Sequence, residues 1–522
     1  MPVVAARRLL LERPTTAAAV ETGAAPTAWA AVPAVAASVH PWDRAHEAVT
    51  ATAAAATESS PAAFFAEPDF EQAFPFPQPA SGGMELFRRS PCTDLDEDRD
   101  WPIGTPKHGW HRDDSHSQLK AAVAATGDPG EGNRVRVGIL DTGYDPEHSS
   151  LPAHLLTDLQ KNFADADNPN DATDPNRKFP GNQPGHGTAT LALLAGRHVT
   201  ISHSGFDDFL GGAPHAEVVP IRIADSVIHF RTSAMADGIA YAALKQCKVL
   251  SISMGGIPSR AWARAVNEAY EAGMAIFAAA GNRFGRSPPR EMIWPARFAR
   301  VVAVCGATAD GSPYFMPGLH FKMQGCFGPP SAMGTAMAAY TPNTPWALLG
   351  CRDGIGYAGG TSSATPQCAA AAALWFQTHP DPDGIEPWQR VEAVRHALFR
   401  TADRSHPQTA RFYGQGVLKT VAALTVPFNT NLPKTPPDEV SFPWIDILSP
   451  GAVASGRQRM FEVEALQVFL ETERLQELAG GADPIADNPP RREVRRVLRA
   501  MRNLTSVSDA LRQHLTDVLA KM

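Results

Sequence analysis

The chain has 522 residues, of which 44% are hydrophobic and 19% are charged, enough for one large core and a second domain. The net charge of −7 is mild for this size, so nucleic-acid binding is not expected. The six cysteines include no CxxC pair, which predicts free thiols and no zinc site, although Cys326 and Cys351 flank one long loop and could pair.

Residues 1–104 are rich in alanine, proline and threonine and then in Phe-Pro pairs, with little sustained periodicity. We therefore predict a largely irregular N-terminal leader. Its first apolar run is cut by Glu12 and is too short for the core of a signal peptide. The alanine-rich stretch that follows is interrupted by Pro33, and no segment reaches the roughly 18 apolar residues of a membrane span. We predict a cytoplasmic location and no membrane span.

Residues 105–428 alternate short apolar runs with helical stretches. The predicted strands are residues 135–140, 218–223, 249–254, 275–280 and 301–305. The predicted helices are residues 188–194, 233–245, 261–272 and 365–377. Continuous apolar runs separated by helices predict an α/β fold with a parallel sheet covered by helices on both faces. In such sheets, functional residues gather at the carboxyl ends of the strands.

Residues 429–522 read as a linker followed by a helical C-terminal extension. Apolar residues recur at helical spacing from Met460 to Leu475 beside several glutamates, which predicts an acidic amphipathic helix. A second helical pattern runs from Val494 to Val518, and six arginines lie at its start. We interpret the two as a helical hairpin whose opposed charges assist packing. The arginines also offer a contact for a protein partner with an acidic surface.

Three segments of the α/β region carry a serine nucleophile and the two residues that activate it. In VRVGILDTG a predicted strand ends on Asp141, in GHGTATLALLAG a predicted helix opens at His186, and GGTSSATP places Ser362 before an apolar helix. An imidazole must remove the proton of a serine hydroxyl, and a carboxylate must orient that imidazole. Asp141 would orient, His186 would act as base and acid, and Ser362 would attack. Asn282, in AAAGN, would donate its side-chain amide to the oxyanion.

Each of these residues alone has an ordinary structural explanation, as a turn residue or a helix cap. Their joint occurrence in this order favours catalysis. The order differs from that of the α/β-hydrolases, in which the serine comes first, and Ala364 stands where their nucleophile motif requires glycine. Peptidases of the sedolisin type replace the histidine base with a carboxylate, and GHGT argues against them.

These motifs, together with SMGG and WPA, resemble those of the subtilisin-like serine peptidases over residues 105–428. The resemblance implies a subtilisin-like fold and a serine endopeptidase that works through an acyl-enzyme and needs no cofactor for its chemistry. It implies that Asp141, His186, Ser362 and Asn282 carry the activity, with a protein or peptide as substrate. The alternative is a catalytically silent scaffold on the same fold that binds protein partners.

A peptide substrate pairs with an exposed strand edge, which glycines keep open. Ser253, Met254, Gly255 and Gly256 suit such an edge, and the resemblance implies that they line the primary specificity pocket with Ala280 and Gly281. The apolar lining favours apolar or uncharged side chains before the cut. Two nearby arginines could instead favour acidic side chains, namely Arg283 and Arg286.

The loop NFADADNPNDATDPN lies between the aspartate and histidine motifs. Asp165, Asp167 and Asp171 supply oxygen ligands close in sequence, as calcium prefers. A structural calcium ion is therefore one interpretation of this loop, and a solvated turn-rich loop is the other.

The leader also has two interpretations. Subtilisin-like enzymes often carry an N-terminal inhibitory pro-segment, and residues 1–104 occupy that position. If this leader inhibits, its removal should raise activity. A Phe-rich segment of the leader that packs on the catalytic domain is the other interpretation.

Overall fold

The computed structural model describes residues 8–12, 29–33, 40–55, 64–73, 97–105, 107–175, 184–202, 204–227, 229–283, 291–316, 322–445 and 455–522. In chain order, the strands are β1 Arg8–Glu12, β2 Trp29–Pro33, β3 Phe65–Pro68, β4 Glu71–Ala73, β5 Arg136–Asp141, β6 Lys161–Asn162, β7 His198–Ile201, β8 Phe206–Phe209, β9 Glu217–Arg222, β10 Ala224–Ser226, β11 His229–Arg231, β12 Val249–Ile252, β13 Ala275–Ala279, β14 Asn282–Arg283, β15 Val301–Ala307, β16 Gln324–Gly325, β17 Ala336–Tyr340, β18 Thr344–Ala347 and β19 Ile355–Ala358.

The α-helices, also in chain order, are α1 Pro41–Ala55, α2 Leu119–Thr126, α3 His186–Ala195, α4 Thr232–Leu244, α5 Arg260–Glu271, α6 Thr361–Thr378, α7 Pro387–Thr401, α8 Thr409–Phe412, α9 Thr420–Leu424, α10 Gly456–Glu471, α11 Glu473–Ala479, α12 Arg491–Arg502 and α13 Asp509–Lys521. All four helices predicted for the α/β region are present, as α3 to α6. Among the described residues, no helix has the length and apolar character needed to cross a membrane.

A seven-stranded sheet forms the centre of the molecule, in the order β17-β15-β13-β12-β5-β9-β6. Neighbouring strands are parallel throughout. The five predicted strands are confirmed as β5, β9, β12, β13 and β15. The chain leaves β9 on one side of β5 and returns as β12 on the other side, so the direction of strand order reverses beside β5.

Both faces of this sheet are buried, which explains why its strands read as continuous apolar runs. In β13, Phe277 belongs to a core with α6 and α7, whereas Ile276 and Ala278 belong to a core with α4 and α5. The side chains of a strand alternate between faces, so one apolar run serves two cores. The predicted sheet with helices on both faces is confirmed.

The described parts of the leader contain regular structure that its composition did not predict. Strand β1 pairs antiparallel with β2 and β3, and β4 pairs antiparallel with β11 of the α/β region. Trp42 and Phe65 are buried in the same core as Trp262 of α5. Described residues of the leader therefore pack against the α/β region, and the role of the leader stays a prediction.

The C-terminal extension is helical as predicted, but its first helix is not amphipathic. Residues 460–470 of α10 are buried on every side, and α10 contacts α1 and β3 of the leader. Glu464 is fully buried and accepts hydrogen bonds from the backbone amide and the hydroxyl of Ser508, both at 2.8 Å. An acidic residue can thus lie inside the core because Ser508, 44 residues away, donates hydrogen bonds to both of its carboxylate oxygens. Four arginines of α12 are exposed, namely Arg491, Arg492, Arg496 and Arg499, and their role in binding a partner stays a prediction.

Of the five described cysteines, four follow the default expectation and one does not. Cys247, Cys305, Cys326 and Cys368 are free and buried. Cys351 is disulfide-bonded, and since Cys326 is free, the alternative pairing of these two residues is wrong.

Candidate active site

Three of the predicted site segments meet at the carboxyl edge of the central sheet. Asp141 is the last residue of β5, Ser253 follows β12, and Asn282 lies three residues after β13 ends. Because β12 pairs with both β5 and β13, these ends are neighbours. His186 and Ser362 come to the same edge on the first turns of α3 and α6, two helices that contact each other.

The carboxylate of Asp141 and the ring of His186 form a short hydrogen bond. Asp141 Oδ1 and His186 Nδ1 are 2.7 Å apart, and both side chains are buried, with 3% and 7% of their surface exposed. A carboxylate accepts, so the proton lies on Nδ1 and Nε2 carries a lone pair. The indole ring of Trp346 stands edge-on to the imidazole, with ring centroids 5.4 Å apart. The ring is therefore held from two sides.

Two threonines that the sequence analysis did not identify complete the setting of Asp141. Thr190 Oγ1 donates to Asp141 Oδ2 at 2.9 Å, and the backbone amide of Thr142 donates to Oδ1 at 2.8 Å. Thr142 Oγ1 in turn accepts from the amide of Gly187 at 3.0 Å. Thr190 follows His186 by four residues on one helix, so helical periodicity could have placed the two on the same face. Both carboxylate oxygens are satisfied.

Ser362 lies on the second residue of α6, where backbone amides have no partner within the helix. Its hydroxyl donates to the carbonyl of Ser253 at 3.0 Å, and the Ser253 hydroxyl donates to the carbonyl of Ser362 at 2.9 Å. Only 7% of the Ser362 surface is exposed. Among the described hydrogen bonds, none joins Ser362 to His186. The structure thus pairs Asp141 with His186, whereas the hydroxyl of Ser362 is hydrogen-bonded to the residue that follows β12.

The side chain of Asn282 is oriented by the residue that precedes Ser362. Asn282 Oδ1 accepts from the amide of Thr361 at 2.9 Å, which leaves Nδ2 as its donor group. Gly360 has a φ of +98°, and a Cβ placed there would lie 2.9 Å from Asn282 Nδ2. Thr361 Oγ1 also accepts from the amide of Gly281 at 3.2 Å. The amide group therefore sits against the backbone that leads into Ser362.

The residues predicted to bind substrate form two backbone segments on neighbouring strands. Ser253, Met254, Gly255 and Gly256 follow β12 and are buried. Gly256 forms an antiparallel bridge with Trp294, with N···O distances of 2.7 and 3.0 Å. A Cβ at Gly255 would lie 2.2 Å from the carbonyl oxygen of Trp294, so only glycine fits there.

The second segment follows β13. Ala280 is fully buried, and its amide donates to the carbonyl of Val304 at 2.9 Å. Gly281 has a φ of +102°, which side chains rarely adopt. Next in the chain, the guanidinium of Arg283 lies over the rings of Phe315 and Phe327 at 5.4 and 5.1 Å. Arg286 lies outside the described residues.

Two aspartates of the acidic loop use their carboxylates within its own turns. Asp165 Oδ1 accepts from the amide of Asp167 at 3.0 Å, and Asp171 Oδ1 accepts from the amide of Thr173 at 2.9 Å. Calcium binding by this loop stays a prediction. The described region holds one trio of side chains within metal-ligand distance elsewhere, made of Asp128, His154 and His215. Arg134 donates to both oxygens of that aspartate, at 3.1 and 3.2 Å.

The chain is similar to several known proteins. The model of the subtilase family matches residues 132–416, a span that contains all four predicted catalytic residues. Thermitase of Thermoactinomyces vulgaris is 29% identical over 58% of this chain and 92% of its own length. Subtilisin DY of Bacillus licheniformis is 28% identical over 56% of this chain and 92% of its own length. A solved structure of proteases from Pseudoalteromonas arctica PAMC 21717 has a TM-score of 0.48 and 24% identity, covering 62% of this chain and 98% of that one.

Proposed function

Because the chain belongs to the subtilase family of serine peptidases, we propose that it cleaves peptide bonds as an endopeptidase through Asp141, His186 and Ser362. Asn282 serves as an oxyanion donor, and the product of the first step is an acyl-enzyme on Ser362. The substrate is a protein or peptide. The observation that carries the proposal is the buried hydrogen bond of 2.7 Å between Asp141 and His186.

The direction of proton transfer follows from that hydrogen bond. Since Nδ1 of His186 donates to Asp141, Nε2 is the atom that accepts the proton of Ser362. A rotation of the Ser362 side chain about χ1 releases its hydrogen bond to Ser253 and turns the hydroxyl towards the imidazole. Asp141 stays ionised and stabilises the imidazolium, and its own two oxygens keep the partners described above. His186 later gives the proton to the leaving amine.

The oxyanion forms as Ser362 Oγ bonds to the carbonyl carbon of the substrate and the carbonyl π electrons move to oxygen. Two donors are available at the start of α6, namely Asn282 Nδ2 and the backbone amide of Ser362. Donors that are fixed before the reaction stabilise the developing charge without reorganisation, and one such donor contributes about 3 to 4 kcal/mol. Collapse of this intermediate expels the amine, and water then releases the acyl group by the same steps.

Labelling with a fluorophosphonate probe tests the proposal. The serine oxygen displaces fluoride from phosphorus, so only an activated hydroxyl reacts. We expect modification of Ser362, mapped by mass spectrometry, and its loss in His186→Ala. Ser363→Ala is the matched control, because Ser363 is the adjacent serine and should remain dispensable for labelling. A folded wild-type protein that resists the probe would instead support the alternative, a silent scaffold that binds protein partners.

A further inference from the structure

The segment 292–294 runs between the two backbone segments that are expected to line the primary specificity pocket. The amide of Ile293 donates to the carbonyl of Ala280 at 3.0 Å. The next amide, of Trp294, donates to the carbonyl of Gly256 at 3.0 Å, and Gly256 donates back at 2.7 Å. Backbone hydrogen bonds therefore tie this segment to both walls at once, and they fix where the side chain of Ile293 begins.

The side chain of Ile293 occupies the space in front of both glycine walls. A Cβ placed on Gly255 would lie 2.9 Å from Ile293 Cδ1, and a Cβ placed on Gly281 would lie 3.0 Å from that same atom. One methyl group thus faces both glycines. Ile293 is only partly buried, whereas its neighbours Met292 and Trp294 are buried. The isoleucine therefore borders an opening and does not belong to the closed core.

Two opposed glycines normally leave a flat slot in which a side chain can lie against bare backbone. Here three carbon atoms of Ile293, namely Cγ1, Cγ2 and Cδ1, take up that slot. The guanidinium of Arg283 lies over the rings of two phenylalanines. The atoms nearest to the two glycine positions are carbons of Ile293 and the carbonyl oxygen of Trp294. A side chain that enters such a pocket must be short and uncharged.

We propose that Ile293 is the specificity-determining residue of the pocket and restricts cleavage to peptide bonds that follow glycine, alanine or serine. This inference rests on the proposed endopeptidase function and names its substrate class. It narrows the sequence-based expectation of apolar or uncharged side chains to small ones. Large aromatic side chains are excluded because Ile293 Cδ1 stands between the two walls that would hold an aromatic ring.

The test uses two peptide p-nitroanilides that are identical except for alanine or phenylalanine before the scissile bond. Active enzyme is counted first by titration with the fluorophosphonate probe, so that rates refer to reactive Ser362. We expect wild type to prefer alanine in kcat/KM. Ile293→Ala should raise kcat/KM for the phenylalanine substrate by at least about 10- to 200-fold, the range that a single methylene group gives in an apolar pocket. Ile293→Val should give a smaller rise in the same direction.

Ile485→Ala is the matched control, since Ile485 is also partly buried and lies in the C-terminal extension. It removes the same atoms and should leave the ratio of the two rates unchanged. A wild type that prefers phenylalanine would overturn the inference, and so would an Ile293→Ala variant whose preference stays within threefold of wild type. In both cases titration still counts active serine. Absence of titratable serine in folded protein would overturn the proposed function itself and this inference with it.

Discussion

Glu67 of the leader offers a quantitative test of how the leader is attached. It is 1% exposed, and its carboxylate oxygens accept from the amides of Arg260 and Ala261 at 3.1 and 2.8 Å, at the start of α5. The pKa of the Glu67 carboxyl is raised from 4.5 to about 7, mainly by burial. The two amide hydrogen bonds and the Arg260 guanidinium lower this pKa by less than burial raises it, and the charge of Glu12 adds to the rise. Ionised Glu67 is therefore costly inside the folded protein.

The sign of the pH effect follows from this shift. A carboxyl whose pKa is higher in the folded state binds its proton more tightly there, so it stabilises the fold at low pH. That contribution is complete below pH 4.5 and is lost as the pH rises through about 7. With about 1.4 kcal/mol for each pKa unit, the loss between pH 5 and pH 8.5 is about 2.5 kcal/mol.

Glu67→Gln removes this titration while keeping the length of the side chain. Because glutamine offers one acceptor to two amides, we expect the variant to be less stable than wild type at pH 5. On going from pH 5 to pH 8.5, the stability of the variant relative to wild type should rise by about 2.5 kcal/mol, because only wild type loses the contribution of the protonated carboxyl. The free energy of local opening is measured by hydrogen exchange of residues 64–73 and 257–264, in a Ser362→Ala background that prevents self-digestion. Glu47→Gln, at an exposed position of α1, is the control.

An equal difference between Glu67→Gln and wild type at both pH values would mean that Glu67 does not titrate between them, contrary to this prediction. A shift of equal size in the Glu47→Gln control would mean that overall charge, and not the buried carboxyl, causes the effect.

Four other predictions follow from the site and the leader. Asn282→Ala should lower kcat by about 10²- to 10³-fold with little change in KM, and an unchanged kcat would exclude it from the oxyanion site. Thr190→Val should lower kcat/KM by about 10- to 100-fold, as expected for loss of a hydrogen bond to a charged group, and a neutral result would show that the triad carboxylate needs no second donor. Gly360→Ala should abolish labelling, whereas Gly384→Ala, also at positive φ but in open space, should not. Removal of residues 1–104 should yield aggregated protein, and a soluble, more active product would support an inhibitory leader.

The segments that meet at the candidate site and the central strands could be predicted because local chemistry determines them. Asp141, His186 and Ser362 lie in short segments whose glycines and flanking apolar runs define strand ends and helix starts. The strands of the parallel sheet are buried on both faces, so their composition alone distinguishes them. The position of Thr190 beside His186 could also have been predicted, because the two residues are four apart on one helix.

Other features depend on contacts between distant parts of the chain. Glu464 looks like a solvent-facing residue in sequence, and it is buried only because Ser508 meets it. Ile293 lies between two recognisable motifs, yet its role follows from its distance to Gly255, which is 38 positions away along the chain. The strands of the leader are short and lie among alanines and prolines, and their pairing across long loops is invisible to periodicity.

The leader also contacts the residue that follows the segment Ser253–Gly256, which is expected to bind substrate. Besides Glu67 at α5, Asp69 accepts from the amide and the hydroxyl of Ser233 at the start of α4, both at 2.8 Å. Gln72 then accepts from the amide of Ile257 at 2.9 Å and donates to its carbonyl at 3.2 Å. Ile257 directly follows Gly256, so a leader side chain holds the end of the segment on which the substrate is expected to pair. Displacement of residues 67–72 would therefore release two helix starts and one wall of the pocket together, which favours a leader that acts as a permanent part of the catalytic unit.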